Sequence, residues 1–457
     1  MLIRFSVENF LSFKDRVVFS MIPGKGALKP NHKSEKFKGI SALKTSIILG
    51  ANASGKSNLI KAIDFGRKMI LRGSRGEQIM NFQNFRLDVK TPLLNSRIEF
   101  EMQHNRKNYA YGFVFNTKEI VEEWLYEIKK NSESKIFERN TSNQKNPFDL
   151  EPLFIKNKKS EHQQFLKFIA KGTPNNQLFL SEVKTRKVKD NVADINDLIN
   201  VIDWFQNSLK VIFPDDKYNE GIKSELMDNT KILKTFEELL NYFDTGINGI
   251  CLEKVDFERI DMPSKFKELI KDDLFKGDIE QEKSVMVSNG INTYFISKKD
   301  ESIVVQKFMT KHDVEGKETP EKFDTNDESD GTNRIIDFIP LIIDLLQGNK
   351  VFIIDEMERS LHPNLIYDLF DLFLSKSENI NSQLITATHE SSLITQKLFR
   401  KDEIWFVAKD RFGSSHLHTL EEYNVRFDKE IRKDYLLGRY KAVPRLGDRN
   451  ELTVLSK

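Results

Sequence analysis

The sequence predicts an α/β fold: a mixed sheet with an antiparallel β meander and a parallel core, interrupted by a mostly helical insertion. Three observations support this fold class. The apolar run of residues 45–49 is followed by a glycine-rich turn and then by a helical pattern. Residues 96–128 contain successive segments of alternating polarity, which is typical of antiparallel strands. After residue 326 helical and strand patterns alternate, as they do in α/β domains.

These patterns divide the chain into three parts. Residues 1–127 form an N-terminal lobe that carries the glycine-rich turn. Residues 128–245 are expected to be a mostly helical insertion, which opens with a polar, turn-rich surface excursion at 128–146. Residues 246–457 form a C-terminal lobe in which strand patterns return and are followed by the α/β alternation.

Composition limits the classes of function. Of the 457 residues, 39% are hydrophobic and 31% are charged, which is typical of a globular protein. A net charge of +2 offers no general argument for nucleic-acid binding. The single cysteine, Cys251, excludes an internal disulfide and a cysteine-based zinc site. No long apolar stretch indicates a leader or a membrane span, so we expect a cytoplasmic protein that does not enter the membrane.

The segment "GANASGKS", residues 50–57, carries the strongest chemical signal. It fits the pattern G-x-x-x-x-G-K-S/T, with a strand before it and a helix after it. Small residues let successive backbone amides face phosphate groups, and the helix N-terminus adds a positive field. The side chain of Lys56 can reach the β- and γ-phosphates, and the Ser57 hydroxyl can bind Mg²⁺. The predicted cofactor-binding residues here are Gly50, Asn52, Ser54, Gly55, Lys56, Ser57 and Asn58.

The segment "VFIIDE", residues 351–356, supplies acidic groups that a Mg²⁺–nucleotide site requires. Four apolar residues place Asp355 and Glu356 at the carboxyl end of a buried strand, which is where α/β sheets bind ligands. Asp355 is the predicted magnesium ligand. Glu356 is the predicted catalytic residue that orients and polarises the attacking water. Alone, such a strand is a weak signal, because many buried strands end in an acid at a turn.

A second buried strand, "QLITATHE", ends near His389. A histidine at this place can be a simple turn residue, and without the other motifs that interpretation is favoured. Beside a phosphate loop, its ring can instead form a hydrogen bond to a γ-phosphate. The sequence therefore predicts Lys56, Glu356 and His389 as the catalytic set, with ATP and Mg²⁺ as cofactors.

The order of these motifs resembles the ABC-type ATPase head of the SMC and RecF group. The loop "SDGT" stands where that group carries its signature loop, in front of a helix. In such heads the signature loop binds the γ-phosphate of a nucleotide held by the opposite subunit. By this resemblance Ser329, Gly331 and Thr332 are the candidate residues. Asp330 departs from the transporter form, in which a glycine is usual. The resemblance also requires a glutamine that senses magnesium, for which Gln83 is the candidate.

Further motifs resemble the RloA and AbiLi group of prokaryotic defence ATPases, which is related to OLD-family nucleases. They include "NFLSFKD", "DTGINGI", "IIDEMERSLHP" and "YLLGRYKAVP". The resemblance implies an ATP-hydrolysing switch that dimerises around two ATP molecules. It also implies a separately encoded, nuclease-like effector in antiphage defence, because too few residues follow His389 for an OLD-type nuclease domain.

A second function stays open from the sequence: a RecF-type repair ATPase that clamps duplex DNA. The basic run "KTRKVK" at 184–189 fits either function, although such runs are more often solvated faces. A third interpretation, the ATPase subunit of a transporter, is weakened by the strand meander and by Asp330. Nucleic acid therefore remains a candidate partner beside a second copy of the chain.

Overall fold

The computed structural model describes residues 1–26, 28–74, 82–143, 145, 147–156, 159–188, 192, 194–216, 218, 229–275, 284–288, 293–299, 302–423, 425 and 430–444. The chain forms two compact units. The first consists of Met1–Pro214, Gly348–Glu358 and Tyr367–Lys457, and the second of Asp215–Gln347 and Arg359–Ile366. None of the described helices combines the length and the apolar character that a membrane span needs.

The strands are β1 (Leu2–Glu8), β2 (Val17–Ser20), β3 (Thr45–Gly50), β4 (Ser96–His104), β5 (Lys107–Phe115), β6 (Ile120–Ile128), β7 (Glu133–Asn140), β8 (Phe148–Asp149), β9 (Leu209–Ile212), β10 (Gly249–Val255), β11 (Ser284–Ser288), β12 (Thr293–Lys299), β13 (Ser302–His312), β14 (Glu321–Asp324), β15 (Val351–Asp355), β16 (Gln383–Ala387), β17 (Ile404–Lys409) and β18 (Ser415–Thr419). The α-helices are α1 (Lys56–Arg72), α2 (Glu151–Lys156), α3 (Ser160–Lys171), α4 (Phe179–Thr185), α5 (Asn196–Asp203), α6 (Thr230–Tyr242), α7 (Ser264–Phe275), α8 (Asp330–Gln347), α9 (Pro363–Lys376) and α10 (Ile431–Leu436).

The predicted antiparallel meander is confirmed as a seven-stranded sheet in the first unit, in the order β2-β1-β4-β5-β6-β7-β8. Alternation along β4 explains its two faces. Ile98, Phe100 and Met102 are fully buried, whereas Glu99 and Glu101 lie on the other face and pair with arginines. Apolar residues at every second position therefore fix which face of the sheet packs on the core.

The predicted parallel core is a six-stranded sheet in the same unit, ordered β18-β17-β3-β16-β15-β9. The pairs β17–β3, β3–β16, β16–β15 and β15–β9 are parallel, and β18 is antiparallel to β17. Continuous apolar runs suit strands that are covered on both faces. One hydrophobic core includes Phe100 of the meander, Leu59 and Ile63 of α1, and Ile353 of the parallel sheet. This core holds α1 between elements of both sheets, and it confirms the predicted fold class.

The second unit contains a five-stranded antiparallel sheet in the order β10-β13-β12-β11, with β14 paired to β13. Its own hydrophobic cluster includes Phe257, Ile270, Leu274 and Ile296. The helices α6 and α8 contact each other in this unit. This sheet corresponds to the strand patterns predicted after residue 246.

Two parts of the predicted insertion differ from the structure. The surface excursion predicted at 128–146 is wrong for Glu133–Asn140, which forms β7 with Ile136 and Phe137 buried. Its polar residues belong to the outer face of a strand, so composition alone suggested a loop. The mostly helical insertion predicted at 128–245 is interrupted at Leu209–Ile212, which forms β9 beside β15. Most other described residues from 151 to 203 are helical.

Candidate functional site

The glycine-rich turn connects β3 to α1. Ala53 (φ 60°) and Gly55 (φ 117°) have left-handed backbone conformations. The Ser54 amide donates to the Ala51 carbonyl at 3.1 Å. A Cβ at Gly55 would lie 2.3 Å from the Ser415 hydroxyl, so both space and backbone conformation require glycine at this position. Left-handed residues within such a turn give the backbone pattern that binds anions through its amides.

Lys56 is buried at the start of α1, with only 4% of its surface exposed. Its ammonium group donates to the carbonyls of Gly50 at 2.9 Å and Ala51 at 3.2 Å. Burial lowers the pKa of Lys56 to about 8, although Asp355 and two nearby glutamates oppose the shift. The charge of Lys56 is therefore held beside the turn and is incompletely compensated, which favours an incoming polyanion.

Asp355 ends β15 at the same edge of the sheet, where the nearby Ser57 hydroxyl favours the charged form of its carboxyl group. Asp355 is 3% exposed, and burial raises the pKa of its carboxyl group above the usual range. Its Oδ1 atom is buried and has no hydrogen-bond partner in the described part of the chain. A buried carboxylate oxygen without a hydrogen-bond partner is unfavourable, and a cation bound there would satisfy it.

Magnesium is usually bound by one or two protein oxygens together with water and substrate phosphates. Ser57 and Asp355 fit this requirement, and the unpartnered Oδ1 atom is the observation that supports the fit. Among the described residues, no cluster of three or more His, Cys, Asp or Glu side chains could hold a metal alone. With two protein oxygens to offer, the site suits Mg²⁺ that arrives with phosphate ligands.

Two glutamates come after Asp355, and the sequence prediction named only one of them. Glu356 has a left-handed backbone (φ 50°), and its amide donates to the Ala387 carbonyl at 2.9 Å. The Glu358 carboxylate accepts a hydrogen bond from the His389 amide at 2.5 Å. Strained backbone conformations of this kind collect at functional sites. Glu358 is therefore an additional candidate site residue. The third acid in "DEME", residues 355–358, is the sequence feature that could have predicted it.

His389 lies just after β16, and β16 lies between β3 and β15, so the phosphate turn, the acidic strand end and the histidine meet at one sheet edge. Its Nδ1 atom is 3.5 Å from the Lys56 ammonium nitrogen. Burial and the nearby Lys56 charge lower the pKa of His389. The ring is therefore neutral near pH 7, and one nitrogen carries a proton that it can donate to a phosphate oxygen.

A hydrogen-bond network beneath the turn was not predicted. The Ser415 hydroxyl donates to the Ser54 carbonyl at 2.6 Å and lies 2.8 Å from the Ser12 hydroxyl. The Asn58 amide donates to Ser12 at 2.8 Å. This network connects the N-terminal segment, the turn, α1 and β18. No local pattern predicts it, because Ser415 lies 361 positions from Ser54 and 403 positions from Ser12.

The remaining predicted residues of the first unit occupy different environments. Asn52 is exposed on the turn. Asn58 is a predicted cofactor ligand. Its side-chain amide donates a hydrogen bond to the Ser12 hydroxyl, on the side of the turn where Ser415 also lies. Gln83 is exposed, and its backbone carbonyl accepts a hydrogen bond from the backbone amide of Leu11 at 2.8 Å. Its role in sensing magnesium stays a prediction.

The predicted signature loop lies in the second unit. The Ser329 hydroxyl accepts a hydrogen bond from the Thr332 amide at 3.0 Å and lies 2.8 Å from the Thr332 hydroxyl. Ser329 therefore caps the N-terminus of α8. A Cβ at Gly331 would lie 3.1 Å from the Ser360 carbonyl, which explains the small residue there. Ser329 is exposed and Thr332 is half-buried, at a helix end that attracts anions.

Comparisons with known proteins give a family and several similar folds. The family described as "AAA domain, putative AbiEii toxin, Type IV TA system" matches residues 46–395. A comparison with curated proteins returns no match. The SMC head domain from Thermotoga maritima is 11% identical, with 92% of this chain and 98% of that chain covered and a TM-score of 0.36.

Two further similar structures contain a bound protein. An SMC head bound to the C-winged helix domain of ScpA is 14% identical, with 92% and 97% of the two chains covered and a TM-score of 0.38. An SMC head domain with an extended coiled coil, bound to the C-terminal domain of ScpA derived from Pyrococcus furiosus, is 13% identical, with 96% and 99% covered and a TM-score of 0.35.

The range matched by the family contains the phosphate turn, the predicted signature loop, the acidic strand end and His389. Around the turn, β3 and α1 form the strand–loop–helix arrangement of a P-loop, and β16 and then β15 follow β3 in the parallel sheet. The chain belongs to the AAA-domain ATPase family described as "AAA domain, putative AbiEii toxin, Type IV TA system".

Proposed function

We propose that this protein is an ATP-hydrolysing switch that dimerises around two ATP molecules and controls a separately encoded effector in antiphage defence. The observation that supports ATP hydrolysis most strongly is the meeting of Lys56, Ser57, Asp355 and His389 at one edge of the parallel sheet. Phosphate-binding, cation-binding and proton-donating groups lie together there. This is the set of groups that phosphoryl transfer requires.

Each residue has a distinct role in this proposal. Lys56 moves its ammonium group from the Gly50 carbonyl to the β- and γ-phosphates, while the backbone amides of the turn bind phosphate oxygens. Ser57 and Asp355 would hold Mg²⁺, which would offset the negative charge of the phosphate groups. Neutral His389 donates a hydrogen bond to the γ-phosphate.

Glu356 orients and polarises the attacking water. The neighbouring Glu358 holds the His389 backbone, so it positions the histidine rather than the water. This division assigns different functions to two acids that are separated by one residue. It also makes different predictions for their substitution.

The composite site is the second part of the proposal. Ser329, Gly331 and Thr332 contact the γ-phosphate bound by the other subunit. A rigidly capped helix N-terminus with small residues in front of it supports this role, because backbone amides can approach an anion closely there. Two such contacts, related by two-fold symmetry, would close the dimer only when ATP is present.

The family description supports a setting in defence, because it names a putative AbiEii toxin and a toxin–antitoxin system. We propose a cytoplasmic complex in which the ATP-bound dimer holds or releases its effector. The effector, rather than this chain, would supply the nuclease chemistry.

The dimer is tested with Glu356→Gln, which keeps the side-chain shape but removes the carboxylate. With ATP and Mg²⁺ this variant should elute as a stable dimer in light-scattering chromatography, and the parent should return to monomer as ATP is consumed. The matched control is Glu318→Gln, an exposed acid of the second unit. A Glu356→Gln protein that binds ATP but stays monomeric would contradict the ATP-dependent dimer.

The effector is tested by co-purification of the chain with the product of its neighbouring gene and by plaque assays of both genes together. Protection should need both genes and should be lost with Lys56→Ala. The chain alone should neither arrest growth nor cut nucleic acid. ATP-dependent retention of duplex DNA by the purified chain, without any protection from phage, would favour the RecF-type function instead.

A further inference from the structure

A cavity of about 880 Å³ lies in the first unit, between β7, the turn after it, α2 and α3. The proposed ATP site uses none of its residues. Its volume falls within the range of small-molecule binding sites, which is about 300–1,000 Å³. Phe148, Leu150 and Phe154 supply an apolar wall, and Thr141 and Asn175 add polar groups.

The rim of this cavity is cationic. Lys145, Lys167 and Lys171 line it and are exposed, and none of the three forms an ion pair within the described residues. Two acids also line the cavity. Asp149 already forms an ion pair with Lys135 at 2.6 Å. Glu151 is then the one remaining negative charge among the lining residues, beside three lysines. The rim therefore carries an uncompensated positive charge that favours an anion.

A buried guanidinium group completes the wall. Arg139 is 2% exposed, lines the cavity and donates to the carbonyls of Gln177 at 2.5 Å and Pro174 at 3.1 Å. Its Nε atom is buried and has no hydrogen-bond partner in the described part of the chain. Arg139 also forms a buried ion pair with Glu123 at 3.9 Å. It is therefore a fixed, charge-paired part of the wall, and the exposed lysines supply the free positive charge.

Aromatic rings lie directly beside these cations. The Lys167 ammonium nitrogen is 5.0 Å from the centre of the Phe154 ring, and the Arg139 guanidinium carbon is 5.2 Å from that of Phe148. Rings beside cations suit a ligand with a planar ring and an anionic group, because stacking and charge pairing occur together.

A protein segment fits the cavity less well than a small molecule does. The edge strand of the sheet at this point is β8, which has only two residues. Pro147 precedes it and has no backbone N–H to pair with an added strand. An extended peptide would therefore find little backbone to pair with.

We infer that this cavity is a binding site for a phosphorylated nucleoside, separate from the ATP site. The planar base packs against Phe148 and Phe154. The phosphate lies at the rim between Lys167 and Lys171.

The test uses the full chain and fluorescent N-methylanthraniloyl-AMP without Mg²⁺. A monophosphate is chosen because the glycine-rich turn binds chiefly β- and γ-phosphates. We expect saturable binding of one probe per chain, unchanged in Lys56→Ala. Lys167→Glu combined with Lys171→Glu should weaken binding by about tenfold or more, because four units of charge change beside the phosphate.

The matched control reverses two exposed lysines outside the cavity, Lys118→Glu with Lys130→Glu. It should change the affinity for the probe by less than about twofold, because distant surface charges are screened. Both double variants should keep the parent ATPase rate and melting temperature. These two measurements separate a binding defect from a folding defect.

Several results would overturn the inference. One is a parent protein that fails to bind the monophosphate saturably. Another is loss of binding in Lys56→Ala, which would place the probe at the glycine-rich turn. Equal losses in the two double variants would show unspecific attraction to positive charge. Binding of an acidic peptide in place of AMP would assign the cavity to a protein partner.

Discussion

The Ser57 hydroxyl on the first turn of α1 lies near the Asp355 carboxylate at the end of β15 and favours its charged form. The fold thus brings the phosphate turn and the acidic strand together, although the two residues are far apart in the sequence. The carboxylate is not fully satisfied, because Oδ1 is buried and has no partner among the described residues. Asp355 is therefore an acid whose environment is incomplete until a cation binds.

Substitution of Asp355 should separate stability from function. Asp355→Asn removes a buried charge, so the free protein should unfold at an equal or higher temperature. The additional stabilisation by ATP with Mg²⁺ over ATP alone should be lost. Thermal unfolding with each ligand combination measures both effects, and Asp368→Asn, an exposed acid of α9, is the control. If Mg²⁺ still adds stabilisation to Asp355→Asn, another group holds the metal.

The affinity for ATP should depend on the protonation of Lys56. Its pKa of about 8 lies below the ordinary value for lysine, so the free protein loses this charge as the pH rises through 8. Phosphate groups favour the charged form, so ATP should bind most tightly below pH 8. Above it the affinity should fall by up to about tenfold per pH unit.

Isothermal titration between pH 7 and pH 9.5 measures this dependence, and binding in the upper range should be accompanied by proton uptake. Lys56→Arg is the informative control, because a guanidinium group keeps its charge throughout this range. Its affinity, weaker or not, should be nearly flat with pH. A steep decline in Lys56→Arg as well would assign the titration to another group.

The two glutamates after Asp355 should respond differently to loss of charge. Glu356→Gln should lower the hydrolysis rate by about 10²- to 10⁴-fold, the usual contribution of an acid–base group, and keep ATP affinity. Glu358→Gln keeps a carbonyl oxygen that can accept the His389 amide, so it should lose much less activity. Single-turnover kinetics distinguish the two. A larger loss in Glu358→Gln would exchange their roles.

The composite site predicts complementation between two inactive variants. Lys56→Ala disables the turn, and Ser329→Arg places a bulky side chain where the backbone of this loop must approach the γ-phosphate held by the other subunit. A mixed dimer contains one site with both lesions and one with neither. It should recover up to about half of the parent activity, because a two-fold dimer has two equivalent sites.

Ser329 also caps α8, so its replacement costs about 1 kcal/mol of stability by itself. Ser329→Ala loses the same cap without the bulk and serves as the control. It should keep most of the activity if bulk is the cause. Loss of ATP binding by isolated Ser329→Arg would place the loop at its own subunit's nucleotide and contradict the composite site.

A carboxylate next to the signature loop should influence hydrolysis indirectly. Glu328 accepts a hydrogen bond from the Thr310 hydroxyl and lies 2.7 Å from His312 Nε2, which attaches the segment before α8 to β13. Glu328→Ala should lower the hydrolysis rate several-fold through a misplaced loop. ATP affinity of the monomer should stay unchanged. A changed affinity measured by titration would show that Glu328 acts on its own subunit's site.

Local sequence was sufficient for elements whose function depends on consecutive residues. The turn at residues 50–57 is recognisable because the groups proposed to bind phosphate and Mg²⁺, namely adjacent backbone amides, one lysine and one serine, are consecutive in the sequence. The strand ends at Asp355 and His389 were predictable because buried parallel strands bring their carboxyl-terminal residues to a common edge. The meander was predictable from alternation, as along β4. In each case one short stretch of sequence contains both the residue pattern and the residues that produce the structure.

Tertiary structure decided what depends on partners distant in the chain. Ser415 and Ser12 lie beneath Gly55, and Glu358 holds His389, through contacts that no periodicity records. The polar segment at 133–140 became a strand because neighbouring β6 supplied hydrogen bonds and the core covered Phe137. The sequence by itself predicted the chemical groups of the proposed ATP site and the strands that carry them. Only packing could decide which distant side chains support those groups, because hydrogen bonds and burial depend on distance in space and not along the chain.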